Sequence, residues 1–201
     1  GAKLMLHTVR QELNKRLKSV SFAIDSKEPF LSRTRFNMLQ KRKSSFPLSE
    51  YLFPNQLKRW GIVNESQITH YIDISGFAYG DSWGHKKARR RLGKKVKKGR
   101  PYYLLPQAFG PFTDQKLKSE MIRIGKRAEM LCARDNVSLE HLKKLGLDNA
   151  RLFPDITFAL ETTGFDQSIM EGSKYGCLII NNKLISSGNM NSNEVIDLFH
   201  K

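Results

Sequence analysis

The sequence predicts an α/β fold built on a doubly wound parallel sheet, and three observations lead there. From Gln67 onward short strand-like runs alternate with helical runs at a regular interval, the rhythm of β-α-β units whose crossovers make neighbouring strands parallel. Each strand-like run is closed by turn residues: Ser75-Gly76, Pro106 and Pro154-Asp155. The chain has 201 residues, 39% of them hydrophobic, which is enough to bury a sizeable core.

Lys3 to Lys18 reads as an amphipathic helix, because Leu6, Val9, Leu13 and Leu17 recur at three- and four-residue steps among Lys, Arg, Gln and Glu. Ser19 to Ile24 alternates like a strand. Residues 25–66 are the least legible stretch; they hold Pro29, Pro47 and Pro54, and the aromatic-rich patches Leu48–Phe53 and Gln56–Gly61 read as short helices. Ile68 to Ile74 is a short strand, His85 to Lys98 a basic helix, and Pro101 to Leu105 a strand ended by Pro106. Asp114 is placed to cap a helix running to Arg127, with Leu117, Met121, Ile124 and Ala128 on one face. Met130 to Ala133 is the next strand, Val137 to Leu145 a helix ended by Gly146, and Ala150 to Phe153 a last strand before Pro154. This order predicts helices on both faces of the sheet.

After Ala159 the character changes. Residues 1–160 read as one amino-terminal domain, 161–173 as a linker, and 174–201 as the start of a second α/β domain or an added edge of the first. That last stretch opens with a strand at Tyr175–Ile180 and closes with helical turns after Asn193. A doubly wound domain usually opens on a strand, whereas this chain opens on a helix, so both ends are expected to be truncated.

Composition excludes some classes. No apolar run approaches the roughly 20 residues needed to span a bilayer, and the amino terminus lacks a signal-peptide layout. Cys132 and Cys177 have no CxxC or Cys/His spacing and read as idle thiols of a reducing cytoplasm. The five histidines have no metal-ligand spacing, and no GxGxxG, GxxxxGK[ST], GxSxG or HExxH motif is present. The net charge of +16 is densest from Lys86 to Arg100, where ten of fifteen residues are Lys or Arg. Such a segment is either a solvated helix face or a patch for an anionic membrane, an anionic ligand or nucleic acid.

Three strand ends carry the unusual residues. The first, Asp73 to Gly84, offers glycines that admit a ligand to the backbone and carboxylates that accept hydrogen bonds from hydroxyls. The second, Leu105-Pro106-Gln107-Ala108-Phe109-Gly110-Pro111-Phe112, is a stiff loop presenting an amide that both donates and accepts. In the third, Cys132-Ala133-Arg134-Asp135-Asn136-Val137-Ser138, the Arg134 guanidinium stands at a helix entrance, where it either shares an anion with backbone amides or forms a structural ion pair. In an open parallel sheet ligands bind beyond the carboxyl ends of the strands, and all three motifs fall there, as does Pro154-Asp155.

Taken in order, these motifs resemble the polysaccharide pyruvyl transferase family. The resemblance runs from Ser75-Gly76 and Asp81 through the Pro106–Phe112 loop and Ala133-Arg134-Asp135 with Ser138 to Pro154-Asp155, clearest over residues 68–160. Where the family often has three consecutive glycines, this chain has Ile74-Ser75-Gly76-Phe77.

The resemblance implies two facing Rossmann-like domains, similar to the GT-B glycosyltransferases. It implies a cytoplasmic enzyme of exopolysaccharide biosynthesis, with membrane association as an open alternative, that needs no cofactor or metal. Its substrates would be phosphoenolpyruvate and a sugar or lipid-linked glycan, joined as a cyclic ketal with release of phosphate. The residues expected to bind substrate are Gly76, Asp81, Gln107, Arg134 and Asp155. Catalytic residues are expected in a carboxyl-terminal half beyond this chain. The rival reading is a non-catalytic binder of anionic polymers, membrane surface before nucleic acid, acting through residues 86–100.

Overall fold

The computed structural model describes residues 2–25, 30–41, 57, 59–93, 96 and 99–161. The expected helix at Leu48–Phe53, the strand at Tyr175–Ile180, the turns after Asn193 and most of the 161–173 linker lie outside them. Residues 1–161 make one unit, which holds every described residue.

The chain enters through helix α1 (Ala2–Arg16), which buries Met5, Thr8 and Val9. A small parallel sheet follows in the order β1-β2-β3, from β1 (Ala23–Asp25), β2 (Leu39–Lys41) and β3 (Ile62–Val63), with helix α2 (Phe30–Arg35) between the first two. Strands of two or three residues are too short to show a period, so this region has little sequence signature.

The main sheet holds β4 (Tyr71–Asp73), β5 (Phe77–Tyr79), β6 (Tyr102–Phe109), β7 (Met130–Ala133) and β8 (Ala150–Leu152), and every pairing in it is parallel. The α/β class and Rossmann-like parallel sheet expected from sequence are therefore present. β4 and β5 lie along the same edge of β6, Asp73 opposite Leu104 and Phe77 opposite Ala108. Gly76 separates them in a left-handed turn, φ +69°, which a side chain would strain.

Strand β6 corrects one expectation. Pro106 does not end it; the strand continues to Phe109. Proline removes a ladder donor and is tolerated where pairing is already irregular. Here β4 has stopped, β5 has not begun, and the register with β7 shifts between Leu104 and Gln107.

Helices α3 (Gly84–Ala88), α4 (Gln115–Gly125) and α5 (Asn136–Lys143) make the crossovers. α3 widens into a π-helical turn over Arg89–Gly93. α4 follows its sequence pattern: Asp114 accepts from the Lys116 N–H, and Leu117, Met121 and Ile124 are wholly buried, each contributing roughly 1.5–3 kcal/mol of apolar burial. Asp135 caps α5 by accepting from the Ser138 N–H at 2.7 Å, so that helix starts one residue earlier than its apolar pattern suggests.

The strand order β4-β6-β7-β8 follows the chain, and right-handed crossovers that all step the same way put α3, α4 and α5 on one face. The core agrees, since it joins Ala88, Leu92, Leu117, Met121 and Leu142 to Tyr102, Leu104 and Leu131 of the strands. Tyr103 and Leu105, alternating with them along β6, are only half-buried. Helix α1 stands outside that core cluster, its buried Met5 lying beside Gly76 between β4 and β5.

Candidate active site

The C-terminal ends of β4 to β8 gather the sequence motifs along one sheet edge. At the first end the Asp73 carboxylate is 7% exposed and fully engaged. It accepts from Arg91 Nε and Nη2, each at 3.3 Å, from the Tyr79 hydroxyl at 2.5 Å and from the Ser75 N–H at 2.9 Å. Burial, then the Asp73 carboxylate, pushes the Tyr79 phenol well above its ordinary value, so it stays a neutral donor. Sequence reading opens its first motif on Asp73 but gives no sign of its pairing with Arg91. Eighteen residues separate them, and Arg91 looks like any other cation of a basic run.

From Asp73 the hydrogen bonds lead directly to Gln107. Ser75 donates through its hydroxyl to Gln107 Oε1 at 2.8 Å, and next to it the Gly76 carbonyl accepts from the Ala108 N–H at 2.8 Å. The Gln107 side chain is fully buried, yet its Nε2 has no hydrogen-bond partner. An orphaned buried amide is uncommon and asks for an explanation. The Gln107 carbonyl accepts from the Arg134 N–H at 3.0 Å, which ties the second motif to the third.

Arg134 follows β7 and is 36% exposed; its Nη1 reaches Asp155 Oδ2 at 3.4 Å. Of the two roles open for it in sequence, an ion pair is formed, with Asp155 and not with its neighbour Asp135. Asp155 also accepts from the N–H and hydroxyl of Thr157, capping the 3₁₀ turn Ile156–Ala159. Desolvation alone would raise the Asp155 pKa, but the Thr157 hydrogen bonds and the Arg134 charge outweigh it and hold the carboxyl below its ordinary value.

Asp81 stands apart from this line. Its two oxygens accept from the Thr113 N–H and hydroxyl and from the Asp114 N–H, so it clamps the far end of the Pro106–Phe112 loop. Ser138 clamps the near end, its buried Oγ accepting from the Phe109 N–H at 2.9 Å. Between them the backbones of Gly80 and Gly110 touch; a Cβ on Gly80 would lie 2.5 Å from the Gly110 carbonyl oxygen. Ser138 lies within the third motif, yet nothing in its spacing shows that it receives a strand end.

The structure therefore brings Gly76, Gln107, Arg134 and Asp155 into one hydrogen-bonded succession and sets Asp81 on the supporting loop. A buried amide donor and a partly exposed guanidinium suit an oxygen-rich or anionic ligand. Among the described residues no group of three or more His, Cys, Asp or Glu is placed to hold a metal ion. Cys132 is buried, and burial pushes its thiol up to about 11, which leaves it un-ionised and poorly nucleophilic.

No curated protein and no solved structure shows significant similarity to the chain. The family model for polysaccharide pyruvyl transferase, by contrast, matches residues 1–198 and so takes in every strand-end motif described above; the chain belongs to that family.

Proposed function

We propose that the protein transfers pyruvate from phosphoenolpyruvate to a sugar of a cell-surface or exopolysaccharide, as a cyclic ketal. Membership of the family supports the transferase class. The observation that carries the residue-level reading is the buried, unpaired Nε2 of Gln107, a residue whose backbone carbonyl accepts from the Arg134 backbone N–H. One sugar hydroxyl adds to C2 of the enol phosphate as the methylene carbon takes up a proton; phosphate then departs with the C–O electron pair, and the second hydroxyl adds to C2 in its place, its proton going to the phosphate. Charge then develops on the leaving phosphate, where a guanidinium is worth most.

In this reading Arg134 contacts the donor and Asp155 orients it. Gly76 and Gln107 form the cleft floor towards the acceptor, and Asp81 keeps the Pro106–Phe112 loop in place. The general acid that delivers the methylene proton is assigned to none of these five. Residues 1–160 act as the amino-terminal domain, 161–173 as a linker and 174–201 as the start of the next.

The test is acceptor-dependent phosphate release from phosphoenolpyruvate, with galactose-, glucose- and mannosamine-type acceptors and the product of the full reading frame. Arg134→Ala is expected to lower kcat/KM about a hundredfold or more. Release that is unchanged in the variant would remove Arg134 from the site. No release with any acceptor would sink the donor assignment.

A further inference from the structure

We propose that α3 and the turn before it form a docking surface for an anionic membrane, with Phe77 and Trp83 as its interfacial anchor. The surface does not depend on the transferase reading. Spacings of three and four residues set Trp83, Lys86, Lys87 and Arg90 on one face, opposite Ala88 and Leu92 in the core. Lys86, Arg89 and Arg90 are exposed, and among the described residues none of them has a carboxylate partner. The sequence has no Asp or Glu between Asp81 and Asp114, so nothing on this segment neutralises them. Arg91 is the exception and turns inward to Asp73, which anchors the basic face to the sheet.

Beside the cations stand two exposed aromatics. Phe77 and Trp83 are 37% and 40% exposed, and their rings meet at 63° with centroids 6.2 Å apart. Core packing explains neither. An indole beside lysines and arginines is the side-chain pairing found at the headgroup level of membranes, where an amphipathic ring needs both media. Nucleic acid is the other polyanion to weigh, and it would use Trp83 as a stacking platform. The Lys87 ammonium lies 3.3 Å from the Trp83 ring centroid and takes one face of the ring, leaving a single face for such stacking. An indole edge with an ammonium alongside remains suited to a bed of lipid phosphates. Among the described residues no helix is long and apolar enough to cross a membrane.

The experiment uses the whole 201-residue chain and vesicles of phosphatidylcholine, alone or with about 30 mol% phosphatidylglycerol. Sedimentation is expected with the anionic vesicles only, weakening as salt rises. A cation near such a surface is worth about 1 kcal/mol, or roughly fivefold in affinity, so Lys86→Ala with Arg90→Ala should weaken binding about thirtyfold. Both positions are exposed, and the double variant should melt as the parent does. In a Trp60→Phe background Trp83 is the sole tryptophan; its emission should shift blue and be quenched by lipids brominated on the acyl chain. Binding without that quenching, or equal binding to DNA and to anionic vesicles, would overturn the proposal, as would no binding to the anionic vesicles.

Discussion

At the scale of single residues, Gln107 shows how a site can be separated from its scaffold. An unsatisfied buried donor costs about 1–3 kcal/mol, and Gln107 keeps one while its Oε1 is satisfied by Ser75. Gln107→Met keeps most of the volume and deletes the orphaned N–H, at the expense of the Ser75 bond. Those two effects oppose each other, so urea denaturation should place the variant within about 1 kcal/mol of the parent. Phosphate release should nonetheless collapse. A variant that is strongly destabilised would mean that Gln107 only holds Ser75 and Gly76 in position, and one that keeps full activity would remove it from the site. Gln107 was legible beforehand because two prolines and a glycine flank it. Its missing partner was not, since satisfaction depends on what stands across the sheet.

Elements differ in how much their sequence tells. α4 shows both a cap and an apolar stripe, and it forms from Gln115 to Gly125, two residues short of the Arg127 its pattern reaches. β4 and β5 read as one strand followed by a loop, because Ser75-Gly76 signals a stop as well as it signals a break and restart. Only the second parallel pairing with β6 distinguishes the two, and that is a non-local fact. α5 carries a testable contrast. Asp135 serves its own helix as a half-buried cap, whereas Ser138 serves β6 by taking the buried Phe109 N–H. Removing the cap with Asp135→Ala should cost about 1 kcal/mol. Ser138→Ala leaves a buried N–H unpaired and should cost more, up to about 3 kcal/mol. Chemical denaturation of both variants checks the order. Equal losses would mean that the loop re-satisfies Phe109 by moving, and then Ser138 is no clamp.

For the whole molecule the governing quantity is charge, since 35 Lys and Arg face only 19 Asp and Glu. A surplus of this size repels itself and favours expansion, and the few carboxylates that hold loops are therefore costly to lose. Asp81, Asp114 and Asp155 all lie below the ordinary value of 3.8. For Asp81 and Asp155 desolvation pulls the other way and is outweighed by hydrogen bonds from Thr113 and Thr157; for Asp114 the Lys116 N–H is the main cause. A carboxyl whose folded pKa is depressed stabilises the protein fully above its unfolded value. That stabilisation is lost as pH falls through the folded one. These three groups thus add no slope to stability from pH 7 down to 5 and a falling one below about pH 4. Protonation there also deepens the positive surplus, so the melting temperature should drop steeply in acid. Salt of about 0.3 M should restore the part due to repulsion, which is screened over some 6 Å, and leave the part due to lost hydrogen bonds. Asp81→Asn cannot lose a charge it no longer has. Its melting temperature should be lower at pH 7 and its acid slope shallower than the parent's. Parallel slopes for the two proteins would show that the Asp81 clamp does not carry the acid sensitivity, and repulsion alone would then account for it.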